Sequence, residues 1–128
     1  MADELKGKKI LLVDDDPDVI QTITAALADS GATIDSACDG NAALVKFAAM
    51  SPDLMVLDMM LPKRSGFLIL ERLKKGKKKT DPPRIIMITG NTGMRHRTYA
   101  ESLGVDLYMN KPFRMDRLLE AIHKILVG

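Results

Sequence analysis

The chain lacks several residue types on which whole classes of protein depend. It contains one cysteine, Cys38, and no tryptophan, so an internal disulfide and a cysteine-based metal cluster are excluded. Aromatic residues make up only 4% of the sequence, which leaves little material for stacking the bases of single-stranded nucleic acid. No apolar run reaches the roughly 18 residues of a membrane span, and we expect no transmembrane helix.

An excess of one charge is also lacking. The formal net charge is only +2 over 128 residues, which indicates neither an acidic tail nor a strongly basic surface for nucleic acid. Residues 1–4 are polar and acidic and do not resemble the apolar centre of a secretory signal. We therefore expect a cytoplasmic protein that does not contact a membrane.

The sequence does contain enough apolar material for one core. Apolar residues make up 46% of a chain of 128 residues, a length typical of one domain, and no linker divides it. We predict that residues 1–128 form a single domain. Because the sequence ends at Gly128, soon after the last predicted helix, it leaves no room for a helix-turn-helix module, and we expect no direct nucleic-acid binding.

Apolar runs alternate with amphipathic segments along the whole chain. Runs of this length are typical of strands buried on both faces of a parallel sheet. The predicted strands are Lys8–Val13, Thr33–Ala37, Leu54–Leu57, Arg84–Thr89 and Val105–Met109. The predicted helices are Asp18–Ser30, Asn41–Met50, Gly66–Lys74, Arg95–Leu103 and Met115–Leu126. Short connections favour right-handed crossovers, so we predict an α/β, flavodoxin-like fold, with a five-stranded parallel sheet in the order 2-1-3-4-5 and five helices on its two faces.

The fourth predicted helix has the weakest apolar stripe. Tyr99, Ala100 and Leu103 are interrupted by charged residues. A weakly anchored helix is a candidate for a moving part.

Acidic side chains follow two of the predicted strands. Asp14 and Asp15 come directly after strand 1, and Asp58 follows strand 3. Ligand sites in parallel sheets form outside the carboxyl ends of the strands, so these carboxylates meet if the two strands are neighbours. Three anions at one point need a cation, and Mg²⁺ suits them because it binds few carboxylates and keeps several waters. Taken alone, each acid could equally be a helix cap or a solvated strand end.

Two further strand ends carry groups that suit a phosphoryl anion. Thr89-Gly90 closes strand 4 with a hydroxyl and an approachable backbone N–H. Lys111-Pro112 closes strand 5, where the ammonium can offset the acids and pair with a phosphoryl oxygen, and where a cis peptide would aim the lysine inward. In isolation, each pair is more simply explained as an ordinary turn.

Taken together, these stretches are much more specific, and the chain resembles the receiver domains of two-component response regulators over essentially its whole length. The matching stretches are Ile10–Asp16, Val56–Pro62 with Gly66, Ile86–Gly90 and Tyr108–Phe113.

The resemblance implies a phosphorylation switch centred on Asp58. This residue would accept a phosphoryl group from a phosphohistidine on a sensor histidine kinase or a histidine phosphotransfer protein. Asp14, Asp15 and Asp58 would bind Mg²⁺ together with the backbone carbonyl of Met60. Mg²⁺ and Lys111 would neutralise charge during transfer.

The resemblance also implies how the signal would be read out. Thr89 would donate a hydrogen bond to the acyl phosphate, and Tyr108 would turn inward as the strand 4 loop moves. The surface of helix 4, strand 5 and helix 5 would then control a downstream protein target or a detached output domain. On this interpretation the protein is not an enzyme, beyond catalysing its own phosphorylation and slow dephosphorylation.

Two other functions remain open at this point. A phosphohydrolase of the haloacid-dehalogenase type would use Asp58 as its nucleophile, but it needs a second acid at the position of Met60. A scaffold that keeps the fold without the chemistry would be expected to lack one of the acids or the lysine. The residues at Met60 and Asn91 predict no unusually fast self-dephosphorylation, since neither is a carboxylate that could align water.

The residues around the site leave two further expectations. Pro62 and Gly66 predict a shaped loop after strand 3, and Gly90 stands where the family often has alanine. Residues 74–79 are rich in lysine and could contact an anionic partner, although a solvated helix end is the simpler interpretation.

Overall fold

The computed structural model describes residues 3–61, 65–90 and 94–128, and for residues 94 and 95 the backbone alone. The expectations placed on Pro62 and Asn91 lie outside these residues.

The five strands form one parallel sheet in the order β2-β1-β3-β4-β5, which confirms the predicted fold class. The strands are β1 Lys9–Val13, β2 Thr33–Ala37, β3 Leu54–Asp58, β4 Arg84–Thr89 and β5 Leu107–Asn110. The helices are α1 Pro17–Ala26, α2 Gly40–Met50, α3 Gly66–Lys74, α4 Met94–Ser102 and α5 Met115–Leu126.

Alternate residues of the strands face two separate apolar layers, because successive side chains point to opposite faces of a sheet. One layer packs the strands against α2, α3 and α4, with Leu11, Met55, Leu57, Ile85 and Met87 in the sheet. The other packs them against α1 and α5, with Ile10, Leu12, Val56, Ile86 and Ile88 in the sheet. Every residue of β3 is buried, so this central strand fixes the position of whatever follows it.

Two elements differ from the sequence prediction by more than one residue at one end. The first helix ends at Ala26 rather than Ser30, since the next residues form a turn in which Ser30 Oγ donates to the Leu27 carbonyl. Strand β5 begins at Leu107 rather than Val105, because the Val105 amide still bonds to the last turns of α4. Apolar character alone does not distinguish a residue that pairs in a ladder from one that packs beneath a helix.

Helix α4 packs against β5 and contacts α3 through aromatic side chains. Of its described side chains only Ala100 is buried. Phe67 of α3 stacks on His96 with ring centroids 5.9 Å apart and meets Tyr99 edge-on at 5.2 Å, and the Tyr99 hydroxyl donates to Glu71. This weak burial agrees with the broken apolar stripe of the sequence.

Candidate functional site

The strand order brings four sequence-predicted residues to one edge of the sheet. Asp14 follows β1, Asp58 ends β3, Thr89 ends β4 and Lys111 follows β5. These four strands are consecutive neighbours in the sheet, and parallel strands present their carboxyl ends on the same side. The backbone continues this alignment beyond the ladder, since the Lys111 amide donates to the Thr89 carbonyl at 2.7 Å.

Three carboxylates gather at this edge in an arrangement that fits a divalent cation. One oxygen from each of Asp14, Asp15 and Asp58 lies within 4.8 Å of the other two. Asp14 and Asp58 are buried and Asp15 is exposed. All three donors are hard oxygen atoms, and one side of the set is open to water, which is the combination that Mg²⁺ prefers.

The carboxylate of Asp58 lies in the most constrained part of the site. It is 4% exposed, and its Oδ1 accepts a hydrogen bond from the Met60 amide at 3.0 Å. Burial raises the pKa of Asp58, and repulsion from Asp14 adds to this, against the opposing effects of the Met60 amide and Lys111. The side chain of Met60 is itself exposed, so only its backbone reaches the carboxylate.

The Lys111 ammonium faces both buried acids. Lys111 Nζ lies 3.0 Å from Asp14 Oδ2 and 3.3 Å from Asp58 Oδ2. Burial acts to lower the pKa of Lys111, but attraction to Asp14 and Asp58 outweighs it, so the pKa is raised. The Lys111–Pro112 peptide is cis, the isomer that the sequence left open. The lysine is therefore a fixed positive charge shared between two carboxylates.

The acid that caps helix α1 is separate from the acids of the cluster. Asp16 is the N-cap residue, and its side chain accepts from the Asp18 amide at 2.9 Å. The Asp16 amide in turn donates to Asp14 Oδ1 at 2.9 Å, which orients that carboxylate. The alternative interpretation of Asp14 and Asp15 as helix caps is therefore wrong, because Asp16 performs that role.

Thr89 and Tyr108 lie next to each other behind the acid cluster. Thr89 is fully buried and Tyr108 is 7% exposed, and their side chains share a hydrogen bond. The Tyr108 hydroxyl also approaches Met59 Sδ at 4.0 Å. Burial raises the pKa of Tyr108, with Arg97 and the Thr89 hydrogen bond opposing it. The two predicted switch residues are thus in direct contact, with Tyr108 turned inward.

The backbone of Gly66 lies very close to the backbone of Asp58 and Met59. The sequence predicted a shaped loop here but not this close contact. A Cβ atom at this position would lie 2.4 Å from the Asp58 carbonyl oxygen and 2.7 Å from Met59 Cα. The Gly66 amide donates to the Met59 carbonyl at 2.8 Å, and Ser65 caps α3 by accepting from the Leu68 amide. The start of α3 therefore packs directly on the backbone of the candidate acceptor.

Comparison with known proteins agrees with this fold and site. Residues 10–123 match the response regulator receiver domain family. The chain is 37% identical over 114 residues to the transcriptional regulatory protein DltR of Streptococcus agalactiae, covering 89% of this chain and 50% of that protein. It is 30% identical to the DNA-binding dual master transcriptional regulator RpaA of Synechocystis, covering 92% of this chain and 48% of that protein.

A solved structure gives the same result. The CheY-like response regulator receiver domain protein of Methanospirillum hungatei superposes with a TM-score of 0.80 at 29% identity, over 93% of each chain. The chain described here belongs to the receiver domain family of two-component response regulators.

The curated relatives are longer than this chain. The chain spans about half the length of the curated relatives it matches. One of these relatives is described as DNA-binding, so the expectation that nucleic acid is not bound directly is not confirmed and stays a prediction. Within the described ranges, no helix combines the length and the apolar character that crossing a bilayer would require.

Proposed function

We propose that this domain is a phospho-acceptor switch in which Asp58 takes a phosphoryl group from a phosphohistidine. The observation that carries the proposal is the position of Asp58. Its buried carboxylate stands beside Asp14 and Asp15 and within 3.3 Å of the Lys111 ammonium. A buried carboxylate without compensating groups would be unfavourable. The acids and the ammonium around Asp58 therefore favour a site that binds an anion together with its counter-ion.

The reaction follows from the groups at the site. A carboxylate oxygen of Asp58 attacks phosphorus, a new O–P bond forms, the P–N bond to the donor imidazole breaks, and the imidazole leaves with its electron pair. Lys111 faces the same carboxylate and can pair with a phosphoryl oxygen. Magnesium held by Asp14, Asp15, Asp58 and the Met60 carbonyl would neutralise the remaining phosphoryl charge.

The signal would leave the site through Thr89 and Tyr108. Thr89 ends β4 beside the acceptor, and its side chain already hydrogen-bonds Tyr108. A new phosphoryl oxygen would compete for the Thr89 hydroxyl, which changes the balance of positions open to Tyr108. Because Tyr108 lies in β5, next to the weakly anchored α4, the surface of α4, β5 and α5 is our candidate for control of a downstream target.

The partners follow from this chemistry. The donor would be a sensor histidine kinase or a histidine phosphotransfer protein, and the receiver of the signal would be a protein target or an output domain. We propose that residues 1–128 act as one domain in the cytoplasm. A phosphohydrolase is disfavoured, because the position where a second acid would act is occupied by Met60, whose apolar side chain points away into solvent with 61% exposure.

Acetyl phosphate provides a direct test. After incubation with this donor and Mg²⁺, intact mass should increase by one phosphoryl group in the wild-type protein and not in Asp58→Asn. Asp16→Asn is the matched control, since asparagine also caps helices and this side chain is not part of the acid cluster. Rapid turnover of simple phosphate esters would instead indicate a hydrolase, and no modification with any donor would indicate a scaffold.

The lifetime of the phosphorylated form tests a second part of the proposal. Met60 is not a carboxylate, so the wild-type acyl phosphate should hydrolyse more slowly than that of Met60→Glu, which could align water for attack. Met60→Gln controls for side-chain size. Equal rates of phosphate release in all three proteins would show that position 60 does not set the lifetime.

A further inference from the structure

Lys74 is a buried lysine far from the acid cluster. It ends α3 and is only 6% exposed, although lysine is among the residues least often buried. It lies one helical turn beyond Leu70 and directly after Leu73, on the apolar face of α3. The interpretation of residues 74–79 as a solvated helix end is therefore wrong for Lys74, while residues 75–79 are exposed.

The ammonium of Lys74 is surrounded by backbone carbonyl oxygens. Its Nζ lies 3.0 Å from the carbonyl of Lys78, 3.1 Å from that of Lys79, 2.9 Å from that of Asp81 and 3.3 Å from that of Pro83. An ammonium has three protons to donate, so these four acceptors satisfy it fully. The chain between α3 and β4 is thus wrapped around a positive charge.

The rest of the Lys74 side chain is also enclosed, and acidic side chains lie near its ammonium. Its aliphatic stem packs on Gly104, where an added Cβ would lie 3.3 Å from Lys74 Cε. Burial lowers the pKa of Lys74, and attraction from Asp106 and Asp81 opposes this. Several carbonyl oxygens converging on one cation are the arrangement by which proteins bind dehydrated monovalent ions.

We propose that the carbonyl oxygens of Lys78, Lys79, Asp81 and Pro83 form a monovalent-cation site that this chain fills with its own Lys74 ammonium, and that this internal cation fixes the α3–β4 connection. The site lies at the amino end of β4, at the opposite end of the strand from Thr89. The Lys74 site is therefore separate from the chemistry at Asp58.

Chemical rescue tests this proposal on the whole chain. Lys74→Ala removes three methylene groups and the ammonium, which together correspond to propylammonium. We expect the melting temperature of this variant to fall by about 8 °C, as for the loss of a buried polar network. Propylammonium chloride should raise it again, by about 5 °C at ten times the dissociation constant. Tetramethylammonium chloride, which cannot donate hydrogen bonds, should have no such effect.

Lys79→Ala is the matched control, because it removes an exposed lysine but keeps the carbonyl of residue 79. Its melting temperature should change by less than about 2 °C. The proposal is overturned if Lys74→Ala is no less stable than this control, or if propylammonium stabilises the wild-type protein as much as the variant.

A second measurement uses the wild-type protein and does not depend on a variant that folds. Acetylation by N-hydroxysuccinimidyl acetate, followed by peptide mass spectrometry, reports how accessible each amine is. Lys74 should react at least about tenfold more slowly than Lys75 or Lys79, since it reacts only when the connection opens. Equal acetylation rates for Lys74 and Lys75 would exclude an enclosed ammonium.

Discussion

The two ends of the parallel sheet differ in how their charged side chains are paired. At the carboxyl end, Asp14 and Asp58 share the ammonium of Lys111, and Asp15 lies beside them. At the amino end, Asp106 has partners of its own. It pairs with Arg84 at 2.8 Å and accepts the Ile85 amide at 2.9 Å.

The same contrast applies to two lysines, the half-buried Lys111 and the buried Lys74. Lys111 is opposed by more negative charge than it can neutralise, whereas Lys74 is enclosed by neutral carbonyl oxygens that satisfy its protons. Charge that the chain compensates internally stabilises the fold, while charge left in excess raises the free energy of the folded state until a ligand arrives. The difference between the two ends therefore separates structural from functional ionic groups, and each of the following predictions tests it.

The largest effect is expected from Gly66→Ala at the carboxyl end. The added Cβ would meet the Asp58 backbone at 2.4 Å, and neither α3 nor β3 can yield easily. We expect the free energy of unfolding to fall by about 3 kcal/mol, measured by urea denaturation. Gly90→Ala is the control in the same region, because no atom of the described residues lies within 4 Å of its added Cβ. Equal losses in the two variants would contradict the close packing of α3 on the acceptor loop.

Removal of the amino-end carboxylate is expected to destabilise the protein strongly. Asp106→Asn weakens the pair with Arg84 and leaves one oxygen to accept from both Arg84 and Ile85, with a loss of about 2 kcal/mol. Thermal and urea unfolding both measure this. If Asp106→Asn is as stable as the wild-type protein, then the amino-end charges do not support the fold and the comparison fails.

Addition of magnesium should stabilise the folded protein through the acid cluster at the carboxyl end alone. A ligand that binds only the folded state adds about 1.4 kcal/mol at ten times its dissociation constant, or about 5 °C in melting temperature for a domain of this size. The shift should persist in Asp106→Asn and disappear in Asp14→Asn. A shift that survives in Asp14→Asn would mean that the metal binds elsewhere.

A smaller effect is expected from Asp58→Asn, and it should have the opposite sign. The folded-state pKa of Asp58 is raised above its usual 3.8, chiefly by burial, so the ionised form disfavours folding. Stability from this residue is therefore present at low pH and lost as pH rises through the folded-state pKa. Without magnesium, Asp58→Asn should be more stable than wild type at pH 7, with little difference near pH 3.

Asp35 provides a control of the reverse sign for this titration. The Lys46 hydrogen bond and the Ser36 amide lower the pKa of Asp35, so its ionised form favours folding above its usual pKa. Asp35→Asn should therefore lose a little stability at pH 7, reduced by solvent screening because the pair is exposed. Gains in stability at pH 7 from both substitutions would show that net charge, and not the location of the acid, determines the effect.

Much of the carboxyl-end site could be predicted from the sequence, because each of its residues stands directly after an apolar run. The end of a buried strand is a fixed point, so Asp14, Asp58, Thr89 and Lys111 could be placed at one edge once the strand order was predicted. The roles assigned to these residues in phosphoryl transfer remain predictions.

The Lys74 site at the amino end of the sheet was not predicted, because of the kind of group that forms it. Backbone carbonyls bind the Lys74 ammonium, and every residue has a carbonyl, so the sequence carries no motif for such a site. One signal was present, since Lys74 continues the apolar helical spacing of Leu70 and Leu73. Because several lysines follow Lys74, the run as a whole is typical of a solvated surface, and it was interpreted in that way.

The sequence by itself determined the alternation of strands and helices, the family and the set of acids at the strand ends, since these follow from hydrophobic periodicity and residue order. Only the tertiary structure decided which charges are compensated. Compensation depends on distances of a few ångströms between groups far apart in the chain, such as Lys111 and Asp14 or Arg84 and Asp106. Electrostatic energy changes steeply over such distances in a buried environment, so it is fixed by packing and not by the order of residues.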